Sequence, residues 1–288
     1  MFNESTHKKH WLFPDLAHID KLRKEAYDKH IETYTPLNPI TYEEQSLLIR
    51  HYSKELIKFC SVYNPPVPPG TIYTALTYFN RIYLREASIQ LQPRDMMFSC
   101  AYLAFKVDEY NLSIDQFLKV LPKEMQSLVG HTVISFELTV MSALNCELAV
   151  YSPYRPLHGL LTDMKVRHSE EVELLKDKSE KYLSLSILTD VIFLYPPSQI
   201  ALCAIYISCE DLGIDIEQYM TECLFSDQPD GMKQAIKIVR TQDEILKQHN
   251  NKYLGDSEWK IIEEKLGKCR NPEFDPRDPN FTFRNKQI

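Results

Sequence analysis

A pattern that opens at Pro93 returns about a hundred residues later, and it limits the fold more than any other feature of the chain. Pro93 leads into Cys100 and Ala101 with the same spacing that takes Pro196 into Cys203 and Ala204, an offset of 103. Further on, Ile114-Asp115-Gln116-Phe117 is answered by Ile216-Glu217-Gln218-Tyr219 at an offset of 102. Two matches in the same order at nearly one offset mark a duplicated unit, and duplication decides architecture before any local reading does.

The first copy of the pattern reads as a buried helix. Pro93 suits a first helical turn because it has no N–H to leave unpaired. Met97, Cys100, Ala101 and Ala104 then fall on one face, small enough to let neighbouring helices come close. Charge appears only at the far end, in Lys106, Asp108 and Glu109. Glycine supports a helical protein. There are seven in 288 residues, and no two lie within ten positions. Without a Gly-rich loop to cradle phosphate, P-loop enzymes, kinases and Rossmann enzymes are excluded together. Period-2 alternation is scarce, so the expected fold is all-α: two tandem five-helix units with extra N- and C-terminal helices.

Helices are expected at 15–32, with Asp15 as cap and Leu16, Ile19, Leu22, Ala26 and the Lys29 stem on one side, and from Thr41, whose capping box with Glu44 opens a face of Leu48, Tyr52, Leu56, Phe59 and Tyr63. Thr35–Pro39 and Asn64–Gly70 break the chain. A third helix carries Ile72, Ala75, Phe79 and either Ile82 or Tyr83. Then come 93–110, 113–120 and 128–144, the last with Val133, Phe136, Val140 and Leu144 as its stripe. After an extended connector at 145–156, helices are expected near 154–166, 170–190, 196–211, 216–224, 231–249 and 257–268, the last capped by Ser257. The corresponding domains are 1–40, 41–150, 151–250 and 251–288, with a disordered tail from Arg270.

Net charge is −7, which argues against direct nucleic-acid binding. Seven cysteines without a C-x-x-C pair read as reduced, buried thiols. The first ten residues hold no apolar signal core. No apolar run approaches the ~20 residues of a membrane span. A cytosolic or nuclear protein without metal or cofactor is expected. His7 and His10 read as a solvated tag rather than a metal site, and Trp11 and Phe13 as core packing or partner contact. Glu43-Glu44 and Glu170-Glu171 fall at helix starts, where acids complement the dipole.

Two charges are out of place. Glu137 lies in line with the apolar row of its helix, and Lys106 follows Leu103 and Ala104. Either they are rim residues, or they pair with each other or with Glu109 at i+3, or they await a partner, because a lone buried ion is costly. Shifting by the repeat offset puts Cys209 in the place of Lys106 and Arg240 in that of Glu137. The pair is therefore expected in the first unit only, which points to binding rather than scaffold.

Leu103-Ala-Phe-Lys-Val-Asp-Glu109 and Phe136-Glu-Leu-Thr-Val-Met-Ser-Ala-Leu-Asn145, with the paired units, resemble the cyclin box family. Lys8-Lys-His-Trp-Leu-Phe13, Phe59-Cys-Ser-Val-Tyr-Asn-Pro65, Val150-Tyr-Ser-Pro-Tyr-Arg-Pro-Leu157 and Pro197-Ser-Gln-Ile-Ala-Leu202 resemble its cyclin H branch, with similarity over most of 7–225. The resemblance implies a non-catalytic activator of a cyclin-dependent kinase, in which Lys106 and Glu137 hydrogen-bond the kinase backbone and Val107, Met141, Cys146 and Leu148 supply apolar contacts. It also implies a RING-finger assembly subunit, the complex TFIIH and a nuclear location. Cell-cycle cyclins carry an arginine and an aspartate near Ile49 and Asn80; their absence weakens a substrate-docking role for the first box. The rival readings are a cyclin C-like subunit of the Mediator kinase module and a TFIIB-like DNA-binding factor. The latter should carry a zinc ribbon and a basic face, and this sequence shows neither.

Overall fold

The computed structural model describes residues 2–34, 38–165, 172–249, 255, 258–272 and 275. Its α-helices in chain order are α1 (Thr6–Trp11), α2 (Leu16–Tyr34), α3 (Tyr42–Ser61), α4 (Pro69–Ile82), α5 (Pro93–Val107), α6 (Ile114–Leu118), α7 (Lys123–Ala143), α8 (Tyr154–Lys165), α9 (Val172–Ser186), α10 (Val191–Leu194), α11 (Pro197–Leu212), α12 (Glu217–Tyr219), α13 (Pro229–His249) and α14 (Glu258–Lys268). A π-helical turn, Met220–Leu224, follows α12. No strand occurs among the described residues. The protein is all-α, and it divides into two compact units.

One unit holds α2 to α7 together with α14. Thr41 and Glu44 form the expected reciprocal capping box at the start of α3. α5 is the centre, with Cys100, Ala101 and Ala104 fully buried and Met97 nearly so. Those short side chains are what let α4 and α7 both pack on it. Along α5, from Phe98 to Phe105, sits a group of rings at T-shaped geometry, Phe59 to Phe98 at 5.1 Å, Phe59 to Phe117 at 5.2 Å and Tyr63 to Phe105 at 5.4 Å. Such pairs add about 0.5–1.5 kcal/mol each beyond their area. Three polar ties anchor α14: Tyr52 to Glu263, Lys265 to Glu44 at 2.7 Å, and a buried Arg270–Asp95 pair at 3.0 Å.

The other unit holds α8 to α13 with α1. α11 is its centre, packed on α8, α9 and α13 around Leu157, Leu161, Leu183, Ile200, Ala204 and Val239. α1 was not anticipated. Ser5 caps it by accepting from the Lys8 amide at 3.2 Å. His7 is no solvated tag: it is 2% exposed, and its Nδ1 accepts from the Tyr151 amide at 3.1 Å. Trp11 is fully buried, and Phe13 packs edge-on against Phe193 while its amide donates to the Phe193 carbonyl at 2.7 Å. The packing reading of that segment holds for this chain by itself.

Other departures are local. α7 starts at Lys123, five residues early, because Pro122 sets up its first turn. α10 was unforeseen. On α2, Leu16 and Lys29 are exposed, and Ile19 and Ala26 carry the contact. The Asp15 cap is present, accepting from the His18 amide at 2.8 Å. The tail expected to be disordered from Arg270 is instead ordered at its start, where Arg270 is buried and pairs with Asp95. Thr35, Pro36, Leu37, Glu170, Glu171, the Ser257 cap and residues 276–288 lie outside the described residues.

The register of the repeat changes by one residue. α11 begins at Pro197, not Pro196, as α5 begins at Pro93. The two helices also end alike. Tyr110 N–H donates back to the Phe105 carbonyl at 2.8 Å over a left-handed Glu109, and Ile214 N–H to the Cys209 carbonyl at 2.9 Å over a left-handed Gly213. Both are Schellman closures. Start and end therefore agree that Cys209 corresponds to Phe105 and Glu210 to Lys106. One residue is a rotation of about 100° on a helix, so the earlier alignment faced the wrong side chains.

Candidate functional site

The end of α5 and the length of α7 form the site. The Schellman closure turns the chain sharply after Val107, which leaves Lys106 and Val107 at the rim. Val107 is 36% exposed, while Phe105 just before it is fully buried. Burial pushes the neighbouring Asp108 carboxyl up, against hydrogen bonds from Thr74 and Thr71 that lower it.

On α7, Val133, Phe136, Val140 and Leu144 are buried as expected. Glu137 stands one step round from them and accepts a hydrogen bond from the Lys106 ammonium. Lys106 also lies 5.7 Å over the Tyr102 ring. The pair keeps much of its water, with side-chain exposures of 47% for Lys106 and 28% for Glu137. An ion pair that wet contributes about 0–1 kcal/mol, so redirecting both groups to another partner costs little.

α7 ends in a strained turn. Asn145 and Cys146 both have left-handed φ, 52° and 57°. Cys146 N–H donates to the Met141 carbonyl at 2.8 Å, and this bond fixes the two residues near each other. Two side chains of α4 hold the segment beyond: Tyr78 Oη donates to the Leu148 carbonyl at 2.5 Å and Arg81 Nη1 to the Glu147 carbonyl at 3.2 Å. Burial pushes the Arg81 guanidinium down to about 10. Cys146 is exposed, and Met141 and Leu148 are half-buried. The geometry thus joins Lys106 to Glu137 and Met141 to Cys146, with Leu148 pinned to α4.

Two residues were missed. Ile134 is 55% exposed and Leu138 68%. With Met141 they form an i, i+4, i+7 row beside Glu137, a second apolar stripe that the first does not need. α7 is too apolar for one buried face, and that surplus was the available signal.

The second unit has a bridge of its own. Arg240 on α13 donates to Glu210 on α11 with two bonds, at 2.6 and 2.5 Å, and lies 5.3 Å over the Tyr206 ring. In the corrected register Tyr206 and Glu210 match Tyr102 and Lys106. The expectation that only the first unit carries such a pair is therefore overturned: both do, with reversed polarity.

Among the described residues no group of three or more His, Cys, Asp or Glu could hold a metal ion, and no helix is long and apolar enough to cross a membrane. Two helical units, each wound on a small-residue central helix, define a cyclin-box protein. Residues 152–247 match the model of the cyclin C-terminal domain. Cyclin-H of Xenopus laevis is 34% identical over 238 residues, covering 78% of this chain and 73% of that protein. Cyclin mcs2 of Schizosaccharomyces pombe is 30% identical, covering 71% and 68%. The chain belongs to the cyclin H family. Its fold is also that of a chain in the CAK complex of Chaetomium thermophilum bound to ATP-γ-S, with TM-score 0.80 at 21% identity over 94% of this chain and 89% of that one. A chain of yeast TFIIK (Kin28/Ccl1/Tfb3) gives 0.69 at 23%, over 85% and 99%.

Proposed function

We propose that this chain is a non-catalytic subunit that binds and activates a cyclin-dependent kinase through the α5–α7 surface. The observation that carries this reading is the row of exposed Ile134 and Leu138 with half-buried Met141 beside a wet, redirectable Lys106–Glu137 pair. Fully burying each aliphatic side chain contributes about 1.5–3 kcal/mol, so a partner covering that row gains where the free chain does not. Lys106 and Glu137 exchange their mutual bond for kinase backbone groups, and Val107, Cys146 and Leu148 extend the contact. Docking there holds the regulatory helix of the kinase inward, so that its Glu pairs with the ATP-positioning Lys.

The family points further, to a kinase that phosphorylates other cyclin-dependent kinases and the polymerase II tail, with a RING-finger assembly subunit, TFIIH and a nuclear location. A relative of this fold sits in a three-protein complex, yeast TFIIK. Reconstitution with a recombinant kinase subunit tests the core of the reading. Leu138→Asp should abolish activation while far-UV CD and melting stay unchanged. Normal activation by that variant would refute the surface. Co-purification with Mediator kinase-module subunits instead of TFIIH would refute the assignment of complex.

A further inference from the structure

A second surface of the first unit gathers basic residues in an otherwise acidic chain. α3, the first turns of α5 and α14 enclose an open groove of about 620 Å³. Lys54, Lys58, Arg94 and Lys260 line it, against Glu55 and Glu263. Both acids are already engaged, Glu55 by Lys58 at 2.6 Å and Glu263 by the Tyr52 hydroxyl. Four cations face two acids in this lining, so positive charge is locally in excess in a chain whose net charge is −7. Desolvation, then repulsion from Lys58, pushes the Lys54 ammonium below its usual range.

One wall is flat and apolar. The His51 ring stacks on Trp259 with centroids 4.4 Å apart and planes 16° apart. Burial pushes His51 down, so it contributes a neutral ring. Met97 and Phe98 complete the groove. The second unit offers a comparison along its own central helix. Its groove at the start of α11 has about the same size, 670 Å³, but is closed by α13 instead of a terminal helix; Ser198 stands where the first unit has Arg94, and Leu160, Leu202, Leu224 and Phe225 line it with no charged residue. The scaffold does not require a cation at the Arg94 position.

We propose that this groove docks a phosphorylated peptide segment, with the phosphate on Lys54 and Arg94 and an adjacent apolar side chain against the Trp259–His51 wall. A phosphoserine carries nearly two charges and offers the oxygens that a guanidinium fork binds bidentately. The cationic excess is small and local, which suits one phosphate and not the spaced phosphates of a nucleic acid. Binding of this kind stands apart from kinase docking. Only its consequence, retention of substrates already phosphorylated once, rests on that reading.

Fluorescence anisotropy of the full chain tests it, using a degenerate peptide pool with central phosphoserine and one flanking apolar position against the same pool with serine. The phosphorylated pool should bind at least tenfold tighter, and inorganic phosphate should compete. Lys54→Glu with Arg94→Glu should weaken it at least tenfold while helical CD and activation of a reconstituted kinase are retained. Equal binding of the two pools, no binding, an unaffected charge-reversal variant, or preference for single-stranded DNA or phosphatidylserine vesicles at the same ionic strength would each overturn the proposal. Because the peptide assay contains no kinase, its failure is separate from failure of the activator reading.

Discussion

Each unit ties its central helix to its last long helix by one charge bridge, and the two bridges run in opposite senses. In the first the central helix supplies the cation, Lys106, and α7 the acid. In the second the central helix supplies the acid, Glu210, and α13 the cation. An aromatic ring, Tyr102 or Tyr206, lies under the cation in both. A feature kept through duplication with its sign reversed is a property of the scaffold, since either sense closes the same gap. What separates the units is the surface beside the bridge. α7 exposes Leu128, Ile134 and Leu138, whereas α13 exposes no large apolar side chain among its described residues. The bridge alone is poor grounds for a docking site; the bridge with an apolar row is better grounds.

The largest expected effects come from the terminal helices, which serve one unit each. Arg270→Ala leaves Asp95 buried with its Arg270 partner gone and should destabilise the first unit by about 3–5 kcal/mol. Trp11→Ala empties a fully buried site and should cost the second unit about 3–5 kcal/mol. Hydrogen exchange should show each loss in its own unit; equal loss in both would break the division. Next comes kinase affinity. Lys106→Ala or Glu137→Ala should cost about 2–5 kcal/mol of binding, because the remaining charge is left unpaired in the interface. Glu210→Ala and Arg240→Ala should leave affinity unchanged. The paired exchange Lys106→Glu with Glu137→Arg gives the first unit the polarity of the second, and should keep its stability while losing the kinase. Calorimetry of binding beside thermal melts reads both.

Smaller effects sharpen the anchoring. Burial pulls the Glu44 carboxyl up, but bonds from Lys265 and the Thr41 amide outweigh it and hold its pKa below the usual value. With the folded value depressed below an unfolded value near ~4.3, the stabilisation is complete above that pH and is lost as pH falls through the folded value. Glu44→Gln should therefore lower stability at neutral pH and flatten the acid limb below about pH 4, as read by denaturant titration. The smallest change concerns the turn after α7. Cys146→Gly relieves a left-handed residue at the expense of unfolded-state entropy and should alter stability by less than about 1 kcal/mol, whereas Cys146→Val should destabilise by about 1–2 kcal/mol.

Much of this was legible in the residues. The Thr41–Glu44 box, the small face of α5 and the Val133, Phe136, Val140, Leu144 stripe are local patterns, and the structure keeps them. Ile134 and Leu138 are legible only as apolar surplus, because the Val133, Phe136, Val140, Leu144 stripe by itself accounts for the buried face of α7. The alignment of Cys209 with Lys106 failed for a different reason. A Cys-Ala match sets identity along the chain, but rotation about a helix is set by where its ends close. His7 was misplaced because nothing near it in sequence announces the Tyr151 amide, 144 positions away.

The sequence by itself determined an all-helical duplicated chain, because periodicity, caps and breakers act within a few residues of one another. Tertiary structure alone decided that α1 joins the second unit and α14 the first, that Lys106 and Glu137 meet while Glu210 and Arg240 answer them in reverse, and that Leu138 faces water. Those outcomes rest on contacts between residues far apart in the chain, where burial and charge are settled by what packs alongside.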